Sequence, residues 1–215
     1  LEFPHLMRLV AENQFDTIYH EHYSYFSLLT VRRVFEAHGL EVFDVEELST
    51  HGGSLRVYLR HAGRDDVHPE TDRPGELARR EREAGMESLA YYREFAEQVR
   101  ETKRKLLEFL IDARRKGKSV VGYGAPGKGN TLLNYCGIRT DFLDYTVDIS
   151  DYKQGMYTPG THLPIHPPSK IDATRPDYVL ILPWNIREEI MDQMSHVRDW
   201  GGRFVVPIPE VKILD

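Results

Sequence analysis

Residues 119–129 read SVVGYGAPGKG, an apolar run that passes directly into a glycine-rich turn. The run predicts a buried strand, and a helix is predicted from about Gly127 to Tyr135. Further strands are predicted at 142–148, 178–182 and 203–206, with a shorter one at 162–166 and an amphipathic helix at 186–198. Apolar strands separated by helices indicate a parallel sheet that is covered on both faces. The sequence therefore predicts an α/β domain over residues 118–215.

The glycine turn has a spacing that is common in nucleotide-binding, Rossmann-like domains. Gly122–Gly127 fits G-x-G-x-x-G between a strand and a helix, and Asp148 ends the next predicted strand. This pattern predicts a pyrophosphate at the helix N-terminus and Asp148 on a ribose hydroxyl. Gly129 replaces the Ser or Thr that would hold magnesium, which excludes ATPase chemistry, and Pro126 removes one backbone N–H from the turn. The alternative is that the glycines only permit a tight strand-to-helix turn.

The part of the chain before this domain predicts a β-hairpin, a linker and a long helix. Residues 40–48 and 55–59 alternate as strands around the turn Thr50–Ser54, which holds a glycine pair. Ser27 is a predicted N-cap for a helix that ends near Gly39. Residues 61–75 are polar, and a helix is predicted over about 76–116. We therefore divide the chain into 1–66, a linker and long helix at 67–117, and 118–215.

Composition and the first residues limit the classes of protein. The 28 basic and 34 acidic residues give a net charge of −6, which argues against nucleic acid and membrane surfaces as partners. The lone Cys136 excludes an internal disulfide and a multi-cysteine zinc site, and it favours an intracellular, cytoplasmic location. Leu1–Pro4 resembles the end of a buried strand, so we expect a fragment that lacks its upstream half.

Tyr19–Tyr23 reads YHEHY, which concentrates ionisable side chains in five residues. His20 and His22 could be zinc ligands, although no further ligand set is evident. The run could also be structural, with aromatic rings in the core and satisfied histidines. A third possibility is acid–base chemistry, in which a histidine oriented by Glu21 removes a carbon-bound proton next to a carbonyl.

Five stretches resemble, in order across nearly the whole chain, the S-adenosylmethionine-dependent sugar C-methyltransferases. They are QFDTIYHEHYSYFSLL, FDVEELSTHGGSLRVYLRH, VVGYGAPGKGNTLLNYCGI, RPDYVLILPWNIREEI and GGRFVVPIPEV. Members of this family methylate C3 of nucleotide-linked 4-keto-deoxysugars. They have a zinc-binding module, a class I methyltransferase Rossmann domain and a Rossmann-like C-terminal domain. The resemblance covers the last third of the middle domain and the whole C-terminal one.

The resemblance also implies roles for particular residues. Leu1–Phe3 would be the fifth strand of the methyltransferase sheet, and the hairpin its sixth and antiparallel seventh strands. The tip of the hairpin at His51–Ser54 and the Tyr19–His22 loop are then expected on one edge of that sheet. The family's Tyr-x-Glu-His motif falls on Tyr19, Glu21 and His22, with His22 as the base that removes the C3 proton.

Weaker candidates for substrate contact lie in the hairpin and in the glycine turn. His51, Ser54 and Arg56 are candidates for sugar or phosphate contact, or they only shape the tip of the hairpin. Gly124 and Lys128 would help to enclose the nucleotide, or the turn would only support the fold.

The same resemblance implies what the chain needs in addition. The S-adenosylmethionine loop, a further catalytic histidine and the zinc module would lie upstream of Leu1, so the chain alone is expected to be inactive. The substrate would be a nucleotide-linked ketosugar. Two alternatives stay open, which are an NAD(P)-binding Rossmann module over 119–215 and a non-catalytic sugar-nucleotide-binding domain or lid.

Overall fold

The computed structural model describes residues 1–214, without the side chain of His51. It divides into two compact units. Unit 1 consists of Leu1–Gln14 and His22–Glu97, and unit 2 consists of Phe15–Glu21 and the chain from Gln98 onward. Among the described residues, no helix has the length and apolar character needed to cross a bilayer.

Unit 1 is built on a three-stranded antiparallel sheet. Its strands are β1 (Glu2–Pro4), β2 (Leu40–Leu48) and β3 (Ser54–His61), and its helices are α1 (Leu6–Ala11), α2 (Leu28–Glu36), α3 (Arg73–Glu83) and the first part of α4 (Leu89–Arg115). The strand order is β1-β3-β2, so β1 and β2 run in the same direction on either side of β3. The predicted hairpin is confirmed, with Leu48 opposite Ser54 at its turn.

The core of unit 1 lies where α2 and α3 contact β2. On β3 alternate residues point into it, as the period of two requires, whereas on β2 the two buried valines are three positions apart because the register shifts between Val42 and Asp44. The buried members are Leu28, Leu29, Val31, Val42, Val45, Leu55, Val57, Leu77 and Ala78. The helical stripe and the alternating strands that the sequence predicts therefore meet in one apolar cluster.

The N-terminus of α2 is capped by two side chains, one local and one distant. The hydroxyl of Ser27 accepts from the N–H of Thr30 at 3.1 Å, which confirms the predicted N-cap. The carboxylate of Glu81, from α3, accepts from the N–H groups of Leu28 and Leu29, both at 2.8 Å. It also lies 2.8 Å from the His5 Nε2. This carboxylate is fully buried, so it joins α2, α3 and the end of β1 through charge-assisted hydrogen bonds.

Unit 2 is built on a six-stranded sheet. Its strands are β4 (Val120–Tyr123), β5 (Thr146–Val147), β6 (Ile165–His166), β7 (Tyr178–Ile181), β8 (Arg203–Val206) and β9 (Lys212–Leu214). Its helices, besides the second part of α4, are α5 (Gly127–Cys136), α6 (Ser169–Thr174) and α7 (Arg187–Gln193). The strand order is β6-β5-β4-β7-β8-β9, parallel except for β9 at one edge. The predicted parallel sheet is therefore present, and its apolar residues form a buried core.

Several predicted elements differ from the observed ones. The single helix over 76–116 is wrong, because α3 ends at Glu83 and α4 begins at Leu89. Gly85, with φ +85°, adopts the left-handed conformation that ends a helix. The strand at 142–148 is only two residues long, and the helix at 186–198 is α7 flanked by two 3₁₀ turns. The short helix α6 and the edge strand β9 were not predicted.

The buried cap at Glu81 leads to a stability prediction. In Glu81→Gln, one carboxylate oxygen becomes an NH₂ group that faces a backbone N–H, so a buried donor loses its acceptor. We expect unit 1 to lose about 3 kcal/mol of stability. Hydrogen exchange at the Leu28 and Leu29 amides measures this directly, and both amides should exchange faster.

Glu83→Gln is the matched control on the same helix. Glu83 is exposed and pairs with Arg79 at 2.8 Å, four residues earlier. Exposed pairs of this kind contribute about 0.3–0.5 kcal/mol. Equal exchange rates in the two variants would contradict the capping role of Glu81.

Candidate functional site

The sheet of unit 2 has its topological switch point between β4 and β7. Connections from these neighbouring strands lead to opposite sides of such a sheet, which opens a crevice beyond their carboxyl ends. The turn Gly124–Lys128 follows β4, and Pro183–Asn185 follows β7. Gly124 has φ +86°, and a Cβ on it would lie 2.7 Å from the Cδ of Pro183. Glycine is therefore required here both by backbone conformation and by the close approach of the two turns.

The segment Phe15–Glu21 belongs to unit 2 and lies at this switch point. The ring of Phe15 meets the ring of Tyr135, on α5, edge to face with 5.3 Å between centroids. Two ring carbons of Tyr19 lie 3.4 Å from the position that a Cβ of Gly127 would occupy. The first part of the predicted catalytic motif is thus packed against the first turn of α5.

Asp16 is the central polar residue of this contact. Its side chain is fully buried, and its Oδ2 accepts from the indole Nε1 of Trp184 at 2.7 Å. The other oxygen, Oδ1, is buried and has no hydrogen-bond partner among the described residues. Lys128 places its ammonium 4.5 Å from the centre of the Trp184 ring and donates to the side-chain oxygen of Asn185. The indole therefore contacts both the carboxyl and the ammonium.

Burial changes the pKa of each ionisable group in this cluster. It raises the pKa of Asp16 from 3.8 to about 7, although the Trp184 hydrogen bond, the Lys128 charge and the backbone N–H groups of Asp16 and Thr17 oppose the change. Burial lowers the pKa of Lys128, and the Asp16 charge opposes that change. Burial and the negative charges of Glu21 and Asp16 raise the pKa of Tyr19, so its hydroxyl stays protonated at neutral pH.

Asp148, which the glycine pattern predicts to bind a ribose hydroxyl, accepts hydrogen bonds from its own chain. Its carboxylate accepts from the N–H groups of Ala125 and Ser150, at 2.8 and 2.9 Å, and from the Lys153 ammonium at 3.0 Å. These donors hold the pKa of Asp148 below its usual range against the effect of burial. The acid predicted to bind a ribose hydroxyl instead fastens the glycine turn to β5.

The predicted catalytic residues fall in different units. Tyr19, half-buried, and Glu21, exposed, belong to unit 2. His22 is half-buried in unit 1, where its ring meets the ring of Tyr25 with 6.3 Å between centroids. The structure thus brings Tyr19 together with the turn that holds Gly124 and Lys128.

The predicted hairpin residues make structural contacts within unit 1. The hydroxyl of Ser54 is buried and donates to the carbonyl of Thr50 at 3.4 Å. Arg56 bridges Glu2 and Glu46 across the sheet, at 3.0 and 3.3 Å. The side chain of His51 lies outside the described residues. No substrate contact is assigned to this hairpin from its geometry.

Two residues of the site, Asp16 and Trp184, were missed by reasoning from sequence. They lie 168 positions apart, and only the fold brings them together. The available signal was an aspartate within an otherwise apolar and aromatic stretch, since such a carboxylate needs a partner when buried. Cys136, by contrast, is buried, and burial raises its pKa to about 12, which keeps the thiol protonated at neutral pH. Among residues 1–214, no group of three His, Cys, Asp or Glu side chains is placed to hold a metal ion.

The fold of unit 2 is that of an open α/β domain, and in such domains ligands bind at the switch point of the sheet. Comparison with known proteins gives the family. The sequence model described as "C-methyltransferase C-terminal domain" matches residues 49–209. The chain is 40% identical over all 215 residues to the C-methyltransferase NovU of Streptomyces niveus, and this match spans 50% of NovU. The chain therefore belongs to the C-methyltransferase family, and it spans about half the length of the curated relative it matches.

The buried carboxyl of Asp16 predicts a pH dependence of stability. The folded protein binds the proton of the Asp16 carboxyl more tightly than the unfolded chain does. The protonated carboxyl therefore makes its full contribution to the free energy of unfolding below pH 3.8, and this contribution is lost as the pH rises through about 7. The loss amounts to at most about 4 kcal/mol. Asp16→Asn keeps an acceptor for Trp184 and removes the ionisation, so its melting temperature should exceed that of the wild type by about 5 °C or more at pH 8.

Tryptophan fluorescence is a suitable measurement, because the two tryptophans, Trp184 and Trp200, both lie in unit 2. The difference in melting temperature between Asp16→Asn and the wild type should shrink as the pH falls towards 4. Asp199→Asn, at an exposed position of the same unit, should show no pH-dependent difference. A constant difference for Asp16→Asn across the pH range would contradict ionisation as its cause.

Proposed function

We propose that the protein takes part in S-adenosylmethionine-dependent methylation at C3 of a nucleotide-linked 4-keto-deoxysugar. The observation that carries the proposal is that Tyr19, which lies against Gly127, and Lys128, which lies over the Trp184 ring, are both at the switch point of the unit 2 sheet. Ligands of open α/β sheets bind beyond the carboxyl ends of the strands at such a point. The family and the similarity to NovU support C-methyl transfer as the reaction.

The proposed chemistry of this chain is proton transfer at carbon. His22 removes the proton from C3, and the electrons of that bond move into the enolate of the C4 ketone. Tyr19 and Glu21 position the base or the sugar, and the raised pKa of Tyr19 keeps its hydroxyl available as a hydrogen-bond donor. S-adenosylmethionine, when bound, supplies the methyl group that replaces this proton.

Lys128 is proposed to contact the nucleotide diphosphate. Lys128 belongs to the first turn of α5, where the helix dipole also favours negative charge. Gly124 contributes through the tight turn that lets the two loops meet. The same turn is a poor site for S-adenosylmethionine, because the Ala125 N–H is already donated to Asp148 and Tyr19 lies against Gly127. No residue of this chain is therefore assigned to hold that cofactor.

The main test is methyl transfer by a chimera in which this chain replaces the matching part of NovU. A nucleotide-linked 4-ketosugar and S-adenosylmethionine are supplied, and the product is followed by mass spectrometry. His22→Ala should lose about 10²–10⁴ in turnover, the usual contribution of a general base. It should also lose exchange of the C3 proton with D₂O when S-adenosylmethionine is absent. Tyr19→Phe and Glu21→Gln should lower turnover less.

Neighbouring residues of the same types are the controls. His20→Asn and Tyr23→Phe change exposed side chains of the same loop and should stay within a few-fold of the wild-type chimera. Near-normal turnover and proton exchange in His22→Ala would remove His22 from the mechanism. A chimera that binds the sugar nucleotide and transfers no methyl group would favour the non-catalytic alternative.

The NAD(P)-binding alternative is tested by titration of the chain with NADH. Asp148 is occupied by three donors from its own chain, so a ribose would have to displace them. We expect no change in NADH fluorescence at micromolar protein. Saturable binding that is lost in Asp148→Ala would support the dinucleotide alternative over methyl transfer.

A further inference from the structure

Side-chain contacts join the segment that carries Tyr19 to the rest of unit 2. Phe15 packs on Tyr135, Asp16 bonds to Trp184, and Tyr19 lies on Gly127. The first and third are ring contacts, which tolerate sliding and tilting of the rings. The hydrogen bond between Asp16 and Trp184 is directional, so it fixes the segment in a way that the ring contacts do not.

Trp184 is a rigid anchor for this bond. Its side chain is only 4% exposed, and it follows the buried strand β7 by three positions. One face of its ring meets the Lys128 ammonium, and the preceding Pro183 packs on the turn at Gly124. Supporting contacts of this kind lock the rotamer of an anchoring side chain.

The backbone couples the position of Tyr19 to that of Asp16. Phe15–Thr17 form one turn of 3₁₀ helix, and the N–H of Ile18 donates to the carbonyl of Phe15 at 3.0 Å. Tyr19 follows this closed turn directly. A movement of Asp16 therefore moves Tyr19, since no flexible linker separates them.

Asp16 contributes to this contact as a hydrogen-bond acceptor. Its Oδ2 accepts from the indole, whereas burial disfavours its charged form. An asparagine would offer the same acceptor to the indole without an ionisable group. The bond therefore depends on the acceptor oxygen and does not require the charge.

We propose that Asp16 and Trp184 are positioning residues for Tyr19, because the buried hydrogen bond between them fixes where the Tyr19 hydroxyl stands during methyl transfer. The inference rests on the role proposed above for Tyr19. It adds two residues to the machinery of the reaction, and neither touches the substrate.

The test combines four variants with two measurements. Trp184→Phe removes the N–H and keeps a ring, and Asp16→Ala removes the acceptor and keeps Trp184. The double variant tests whether the two changes break one interaction, and Asp16→Asn restores the acceptor. The measurements are hydrogen exchange over residues 15–21 in the full chain, and kcat and KM of the NovU chimera.

We expect each single variant to lower kcat by roughly ten- to a hundredfold, the usual effect of misplacing a catalytic group by about 1 Å. KM for S-adenosylmethionine should stay unchanged, and exchange should rise within 15–21 and not elsewhere in unit 2. The double variant should be no worse than either single one, because both remove the same bond. Asp16→Asn should recover most of kcat relative to Asp16→Ala.

The control is Trp200→Phe, which removes a different indole hydrogen bond, to the carbonyl of Pro176 at 3.0 Å. It should change neither kcat nor exchange over 15–21. The inference is overturned if the kcat losses of the two single variants multiply, if exchange rises throughout unit 2, or if Asp16→Ala changes neither measurement. Asp16→Ala leaves Trp184 in the core, so it decides the outcome even if Trp184→Phe does not fold.

Failure of the proposed function gives a different result. A wild-type chimera without methyl transfer would contradict that function and the catalytic role of Tyr19. Local exchange in the variants would still show whether the Asp16–Trp184 bond holds the segment. Normal methyl transfer in Asp16→Ala and Trp184→Phe would overturn the positioning role and leave the proposed function intact.

Discussion

The turns that follow β4 and β7 meet at one edge of the unit 2 sheet with only a glycine between them. Pro183 packs where a Cβ on Gly124 would lie, so the turn after β4 must bend through a conformation that other residues rarely adopt. That close approach brings the first turn of α5 next to Trp184. At this edge Lys128 lies over the indole ring of Trp184, and Asp16 lies beside the indole nitrogen.

Two buried carboxylates in unit 2 have opposite electrostatic environments. Asp148 accepts from two backbone N–H groups and an ammonium, which stabilise its charge and give it a structural task. Asp16 accepts from the neutral indole of Trp184, and burial raises its pKa to about 7 against the opposing charge of Lys128. The environment alone shifts the pKa values of these two aspartates in opposite directions. Strongly shifted pKa values of this kind are common at functional sites.

Much of the fold was predictable, because its signals are local. Apolar runs gave β4, β7 and β8, alternation gave the hairpin, and Ser27 gave the start of α2. Distant partners were not predictable. Glu81 caps α2 from another helix, and the Asp16–Trp184 contact joins residues from opposite ends of the chain.

The candidate site was predictable only in part. The Tyr19–Tyr23 run and the glycine turn were found from residue types and spacing, and the resemblance to the family assigned their roles. The hydrogen bond from the Ala125 N–H to Asp148 could not be predicted from the sequence. A G-x-G-x-x-G pattern specifies a tight turn and does not specify which groups bind to the turn.

The division of the chain between the two units affects how the family could exchange domains. Unit 2 is discontinuous in sequence, since Phe15–Glu21 belongs to it while the residues on either side belong to unit 1. A recombination point near residue 98 would separate Trp184 from its native Asp16 and pair its indole with whatever the new parent carries there. Recombination within the family is therefore expected to succeed only between parents that share this pair, and the pair is expected to vary together.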